Sequence, residues 1–374
     1  MEKRRKFFIK TFGCQANLAD SEKIKAYLVS AGMVPVDKME EADWIIINSC
    51  AVRQSAENRA YGLVRNLQKL KEKRPHLKII LTGCMLYHPL SYLKPRALGV
   101  DFWVKKDDWT SFIFSRLGKK VSPSFSKRET VLMDDGFSYA LLPIMEGCNN
   151  FCSYCVVPYA RGREVSYPLE EIICQAKKLA RDGYPYILLL GQNVNSYRPR
   201  ELSNQKEAPF ATLLRLLHRI EAVKRIAFLS SNPWDLTDDI IEAMSLPKIS
   251  RYFHLPVQSG DDEVLRRMNR KYTALHYIKL VEKIRKKIPD IKISTDIIVG
   301  FPGESEKQFQ NTVSLVKKVG FYKAYINKYS PRPGTVAARF PDNVPIAEKK
   351  RRWQILDNLI NQPYFSSKDG KASH

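Results

Sequence analysis

Three cysteines fall within eight residues in Cys148-Asn-Asn-Phe-Cys152-Ser-Tyr-Cys155. Thiolate is the soft donor that iron–sulfur clusters and zinc prefer. A structural zinc site takes four ligands, usually from paired Cys-x-x-Cys elements, and no fourth Cys or His lies close by in the sequence. Three cysteines on a cube of four irons leave one iron open to a substrate-derived ligand, and this spacing lets a single loop wrap three corners. A cluster is the expected occupant, with zinc as the alternative. Gly147 lets the chain turn off a preceding strand.

A second set is dispersed. Cys14, Cys50 and Cys84 are separated by 36 and 34 residues, about one strand-plus-helix unit each. Each stands just past an expected strand, at Phe7–Thr11, Trp44–Asn48 and Lys78–Thr82. The carboxyl ends of a parallel sheet line one crevice, so three thiols delivered there form a possible metal site. The other reading is three buried small apolar residues, which free cysteine often is. The seventh cysteine, Cys174, falls on the polar side of an amphipathic helix and reads as a bystander. An odd number of cysteines in a long chain with no secretion signal argues against a disulfide scaffold and for a reducing compartment. The basic start at Lys3 to Lys6 is followed by a stretch broken by Lys10, Gln15 and Asn17, so secretion is rejected.

The elements that must position these thiols alternate. In the first third, strands at the three positions above flank helices at Ser21–Ser30 and Gln54–Lys71, the latter with an apolar stripe at Ala56, Ala60, Leu63, Val64, Leu67 and Leu70. This predicts a Rossmann-like parallel sheet over residues 1–120. A polar, weakly periodic stretch at 121–135 reads as a linker. Six further strands are expected at Tyr139–Met145, Tyr186–Gly191, Arg225–Ser230, Tyr252–Val257, Lys292–Val299 and Ala324–Tyr329. With helices between them they predict a partial (β/α)6 barrel of the TIM type over 136–362, with active groups on the loops at the strands' carboxyl ends. Residues 363–374 read as a polar tail. No apolar run approaches the ~20 residues needed to cross a bilayer.

The 374 residues carry 62 Lys and Arg against 39 Asp and Glu, a net charge of +23. Each basic run, such as Lys69–Arg74, Lys283–Lys287 or Lys349–Arg352, reads singly as a solvated helix face. Their sum points to a polyanionic partner, most simply nucleic acid.

The Cys-x3-Cys-x2-Cys motif is the signature of the radical S-adenosylmethionine (SAM) superfamily, and Met145 to Val165 resembles its methylthiotransferase branch. The segments Lys10-Thr-Phe-Gly-Cys14-Gln, Asn48-Ser-Cys50-Ala-Val-Arg53 and Thr82-Gly-Cys84-Met resemble that branch's amino-terminal domain. The resemblance spans roughly Lys3 to Asn361. It implies two [4Fe–4S] clusters. One, on Cys148, Cys152 and Cys155, cleaves SAM to a 5′-deoxyadenosyl radical. The auxiliary one, on Cys14, Cys50 and Cys84, handles the sulfur being inserted.

Further segments fit the branch: Gly191-Gln-Asn-Val-Asn-Ser-Tyr197, His254-Leu-Pro-Val-Gln-Ser-Gly260 and Asp296-Ile-Ile-Val-Gly-Phe-Pro-Gly-Glu304. Candidate cofactor contacts are Tyr154, whose ring suits an adenine, with Gln192, Asn193, Ser231, Gln258, Asp296 and Gly300. Candidate substrate contacts are Arg161, Arg163 and Asn195. His254 alone reads as a packed strand residue. Within the branch, Gln192-Asn193-Val194-Asn195 resembles the members that modify N6-isopentenyladenosine beside a tRNA anticodon. The alternatives are N6-threonylcarbamoyladenosine and an aspartate of a ribosomal protein. The expected partners are a tRNA anticodon stem-loop, an electron donor such as flavodoxin or ferredoxin, and a sulfur source, in the cytoplasm. Members usually continue into a small RNA-binding β-barrel, and this chain ends about where that would begin.

Overall fold

The computed structural model describes residues 4–122 and 128–366. The chain divides into two compact units, residues 1–129 with 159–161, and 130–158 with 162–374.

The first unit is built on strands β1 (Lys6–Thr11), β2 (Val34–Pro35), β3 (Trp44–Ser49), β4 (Lys78–Gly83) and β5 (Phe102–Trp103). They pair in parallel in the order β2-β1-β3-β4-β5. Every residue of β3, Trp-Ile-Ile-Ile-Asn-Ser, is buried, because a parallel sheet covered on both faces needs continuous apolar strands. Ile45, Ile47, Ile79 and Leu81 pack with Ala60, Val64 and Leu67 of the helix Gln54–Lys73. On the other face Phe7, Ile46 and Ile80 pack with Ile24 and Leu28 of the helix Gln15–Ser30 and with Trp109 and Ile113 of the helix Trp109–Leu117. Ile46 is fully buried. Ile46→Ala is expected to cost about 2–5 kcal/mol, read as a lower urea midpoint for the amino-terminal unit.

The second unit opens with β6 (Thr130–Leu132), which pairs antiparallel with β7 (Ser138–Pro143). A short pair, β8 (Met145–Glu146) and β9 (Val165–Ser166), brackets the cysteine loop. There follow β10 (Tyr186–Leu190), β11 (Arg225–Phe228), β12 (Tyr252–His254), β13 (Lys292–Val299) and β14 (Lys323–Lys328). One sheet runs β11-β10-β7-β6 and another β12-β13-β14, linked by a parallel bridge from Ile226 to Ile249. Six parallel strands, β7 and β10 to β14, thus follow one another in chain order, the partial barrel expected from the sequence. Along β13 the buried Ile293, Thr295, Ile297 and Val299 alternate with half-exposed Lys292, Ser294, Asp296 and Ile298, the period of two of a strand with unlike faces.

Four segments differ from the sequence reading. The first helix starts at Gln15, not Ser21, because the polar Asn17 and Ser21 are buried and bonded there. The fourth barrel strand stops at His254. Beyond it the carbonyls of Leu255, Pro256 and Val257 accept from the Tyr277 hydroxyl, Arg270 and the Tyr272 hydroxyl, and Pro256 has no amide to donate. The polar stretch at 121–135 contains β6, and its Asp135 is a buried acceptor for Tyr139 Oη at 2.5 Å and Ser250 Oγ at 3.0 Å. Residues 123–127 of that stretch lie outside the described residues. The last helix runs Ile346–Ser366, so the expected tail begins inside it, and 367–374 lie outside the described residues.

Part of the positive charge is internal. Arg352 and Glu304 form a buried pair at 2.8 Å, and Lys349 pairs with Asp342 at 2.7 Å. The run Lys349–Arg352 is therefore only partly a solvated face.

Candidate functional site

In the first unit the sheet delivers three thiols to one edge. Cys50 directly follows β3 and Cys84 directly follows β4, while Cys14 stands three residues past β1 at the start of the helix Gln15–Ser30. Those three strands are neighbours in the sheet. Asn17, fully buried, joins the cysteine segments. Its Nδ2 donates to Asn48 Oδ1 at 3.2 Å, to the Ser49 carbonyl at 3.3 Å and to Cys84 Sγ at 3.9 Å, and its Oδ1 accepts from Cys14 Sγ at 3.5 Å. Asn48 answers through Nδ2 to the Asn17 carbonyl at 2.8 Å.

The three thiols lie within electrostatic reach of one another. Burial, then the neighbouring Cys50 and Cys14, push the Cys84 thiol up to about 11 against the pull of Arg161. Burial likewise raises Cys50, with Cys14 adding to it. A metal centre displaces such protons and supplies the positive charge that the burial withholds.

Arg161, expected as an RNA contact, is placed otherwise. Its Nη2 donates to Asp20 Oδ2 at 2.6 Å, its side chain is 7% exposed, and it sits in the field of Cys84 and Cys14. It is a shielded cation of the three-thiol site. Asn17, Asn48 and Asp20 were not legible as site residues, since isolated Asn and Asp near a strand end read as turn formers.

In the second unit the cysteine loop follows β8 at the carboxyl side of the first barrel strand. Gly147 has φ +77°, and a Cβ there would lie 2.0 Å from the Arg163 carbonyl oxygen. Its amide donates to Gln192 Oε1 at 2.6 Å, and the Cys148 amide to the Gly162 carbonyl at 3.2 Å. Gly147→Ala is expected to cost at least about 1–3 kcal/mol from the backbone conformation alone, measurable by urea titration.

The loop is also held from a distant segment. Ser153 donates from N and Oγ to the carbonyls of Met268 and Arg267, at 3.0 and 2.7 Å. Asn269 Nδ2 reaches the carbonyls of Asn150 and Phe151 at 3.1 and 3.0 Å, and Arg270 Nη1 donates to Cys152 Sγ at 3.5 Å. Burial raises Cys148 to about 11 and, with the neighbouring Cys152, Cys155 to about 12. The Val157 amide donates to Cys155 Sγ at 3.5 Å. Among the described residues no group of three or more His, Cys, Asp or Glu side chains is gathered as a metal-ion site.

Two further features mark the barrel's carboxyl end. Among the described residues, the non-glycine residues with positive φ are Phe151, Ser230, Gln258 and Asn269, at +47°, +67°, +69° and +58°. Each follows a barrel strand or the helix Asp262–Arg267, where strained backbone commonly serves a site. Asn150 Nδ2, Asn193 Oδ1 and Ser231 Oγ are buried without a hydrogen-bond partner among the described residues. Buried polar atoms left open in this way call for a ligand or water.

The other expected contacts divide. Asn193 and Ser231 keep a free polar atom each, although Asn193 Nδ2 is committed to Asp235 at 2.6 Å. Gln258 is buried, and its backbone bridges to β13 beside Ile297. Asp296 Oδ2 lies 3.1 Å from His254 Nε2, whose Nδ1 lies 3.1 Å from Ser294 Oγ. His254 is therefore part of a polar ladder between β12 and β13.

Four of the expected contacts have partners within the protein. Gln192 supports the Gly147 turn. Asn195 grips the backbone of Asn232 with both ends of its amide, at 2.7 and 2.9 Å, which makes it a structural tie. The Gly300 amide is taken by Glu304 Oε2 at 2.6 Å. The Tyr154 ring packs against Val264, Met268, Phe301, Tyr329 and Ala337. Arg163 is exposed, its guanidinium 4.6 Å from the centre of the Phe151 ring. Cys174 is exposed on the helix Leu169–Arg181.

Comparison with known proteins follows this division. Residues 142–316 match the Radical SAM superfamily, and residues 6–105 match an uncharacterized protein family, UPF0004. The chain is 42% identical to a tRNA-2-methylthio-N(6)-dimethylallyladenosine synthase of Clostridium botulinum, covering 98% of this chain and 83% of the relative. It is 44% identical to a synthase of the same name from Caldicellulosiruptor saccharolyticus, covering 96% and 79%. Among solved structures it resembles the radical S-adenosylmethionine methyltransferase TsrM of Kitasatospora setae. The TM-score is 0.65 at 13% identity, over 90% of this chain and 77% of that one.

Proposed function

Because the chain belongs to the radical SAM superfamily and, within it, to the family of the tRNA-2-methylthio-N(6)-dimethylallyladenosine synthases, we propose that it transfers a methylthio group to C2 of an N6-isopentenylated adenosine beside a tRNA anticodon. The observation that carries this reading is the second set of cysteines. A radical SAM loop alone serves many reactions, whereas Cys14, Cys50 and Cys84 at the ends of three adjacent strands suit a second centre for sulfur. Carbon 2 of adenine bears an unactivated C–H bond beyond ordinary acid–base chemistry. A SAM-bound [4Fe–4S] cluster supplies the radical reactivity that such a bond needs, and the protein supplies position and electrostatics.

Each residue then has a stated part. Cys148, Cys152 and Cys155 hold the first cluster on a loop fixed by Gly147, Gln192 and Ser153. Asn193 Oδ1 and Ser231 Oγ offer buried polar groups to SAM, and Gln258 and Asp296 lie at the ends of neighbouring strands. Cys14, Cys50 and Cys84 hold the auxiliary cluster. Arg161, paired with Asp20, offsets the negative charge of three ligated thiolates there. Arg163, exposed and lying over the Phe151 ring, is the candidate contact for an RNA phosphate, and the net charge of +23 favours RNA over a protein substrate. Single-stranded loop bases can be splayed into a pocket. The electrons come from a donor such as flavodoxin or ferredoxin and the sulfur from a separate source. No helix among the described residues is long and apolar enough to cross a membrane, and the site of action is the cytoplasm.

The test is mass spectrometry of tRNA nucleosides from a strain deleted for this gene and from its complement. The 2-methylthio form of N6-isopentenyladenosine should vanish and return. Loss of the threonylcarbamoyl derivative instead, or of a modified ribosomal aspartate, would refute the substrate.

A further inference from the structure

Arg270 lies 118 residues from Cys152 in sequence, yet its guanidinium is built into the cysteine loop. It is 7% exposed. Nη1 donates to Cys152 Sγ at 3.5 Å and to Asn232 Oδ1 at 3.1 Å, Nη2 to the Pro256 carbonyl at 3.0 Å, and Nε to the Tyr272 hydroxyl at 3.1 Å. The Trp234 and Tyr272 ring centres lie 4.6 and 5.2 Å from its central carbon. Three of these acceptors are neutral, and the fourth is a cysteine sulfur. A buried guanidinium so placed is costly unless it faces negative charge; Asp235 lies within its electrostatic reach, and a thiolate-ligated centre would add negative charge directly at the hydrogen-bonded sulfur. The preceding residue, Asn269, holds a left-handed conformation while its side chain grips the carbonyls of Asn150 and Phe151.

We propose that Arg270 is a positioning residue that acts through Cys152: its charged hydrogen bond to Sγ raises the reduction potential of the iron–sulfur group held by Cys148, Cys152 and Cys155. The inference rests on the reading of that loop as the SAM cluster's ligand set. Reduction adds negative charge to the cluster. A cation donating to a ligand sulfur stabilises the reduced form more than the oxidised one. Fixing the loop from the 267–270 segment keeps that donor on the sulfur, the part that partners of metal ligands generally play.

The test is a redox titration of the whole, anaerobically reconstituted protein, following the paramagnetic signal that changes when SAM is added. In Arg270→Gln the ratio of reduced to oxidised cluster at a fixed solution potential should fall about tenfold, equal to about 59 mV for one electron. Asn232→Asp is nearly isosteric and sets a carboxylate against Arg270. It should shift the ratio the same way by about threefold, and it decides the matter if Arg270→Gln does not fold. Arg270→Lys keeps the charge and should stay closer to the wild type than Arg270→Gln. Midpoints in Arg270→Gln and Asn232→Asp indistinguishable from the wild type would overturn the proposal. A wild-type protein with no SAM-responsive signal would instead remove the cluster reading beneath it.

Discussion

Cys152→Ala should bring 5′-deoxyadenosine formation down to the level seen without enzyme. Cys152 is the middle cysteine of its loop and the one whose sulfur accepts from Arg270. Its removal leaves two thiols and strands a buried guanidinium beside an empty position, so no neighbouring residue substitutes. The fold should survive, because the loop keeps its ties through Ser153 and Asn269 and the core of this unit is formed by other residues. The readout is 5′-deoxyadenosine by chromatography after incubation with SAM and dithionite, with circular dichroism as the folding control. Formation at the wild-type rate would refute the role given to this loop.

Cys50→Ala should separate two activities that Cys152→Ala abolishes together. Cleavage of SAM depends on the barrel loop and should continue. Methylthiolation, which the proposed function assigns to the amino-terminal thiols, should stop, so 5′-deoxyadenosine accumulates without modified RNA. Cys50 suits this test because it is buried at the end of β3, between the strands that carry Cys14 and Cys84. Alanine there removes the sulfur at little cost in packing. Methylthiolated RNA at the wild-type yield would show that the three thiols do not form a sulfur-handling site.

Both cysteine sets and the strands that present them were legible because they follow local rules. Buried parallel strands such as Trp44–Ser49 are short aliphatic runs, and a ligand just past such a run must lie at the sheet's edge. What escaped reading depends on distance. Arg270 and Asn269 sit in a basic stretch that looks like a solvated helix end, and only the fold brings them to Cys152. Arg161 looked like an RNA contact because it is cationic beside the loop, and Asp20, 141 residues earlier, takes it out of solvent. Gln192, Asn195 and Gly300 lie in the expected strand-end segments, but Gln192 Oε1, both ends of the Asn195 amide and the Gly300 amide bond within the scaffold. A motif indicates where polar groups gather, whereas their partners decide which remain free for a ligand. Asn193 and Ser231 illustrate the other outcome: each keeps a buried atom open. The linker failed differently. Its polar composition hid β6 and the buried Asp135, whose partners Tyr139 and Ser250 satisfy a charge that composition assigns to solvent.

The central claim is that one chain carries two cysteine-held clusters, one for making a radical and one for sulfur. Iron and acid-labile sulfide per chain, measured after anaerobic reconstitution, test it most directly. About eight of each are expected for two [4Fe–4S] clusters, falling to about four in both the Cys50→Ala and Cys152→Ala proteins. About four in the wild type, unchanged by Cys50→Ala, would contradict the second site, and a colourless protein without iron would contradict both.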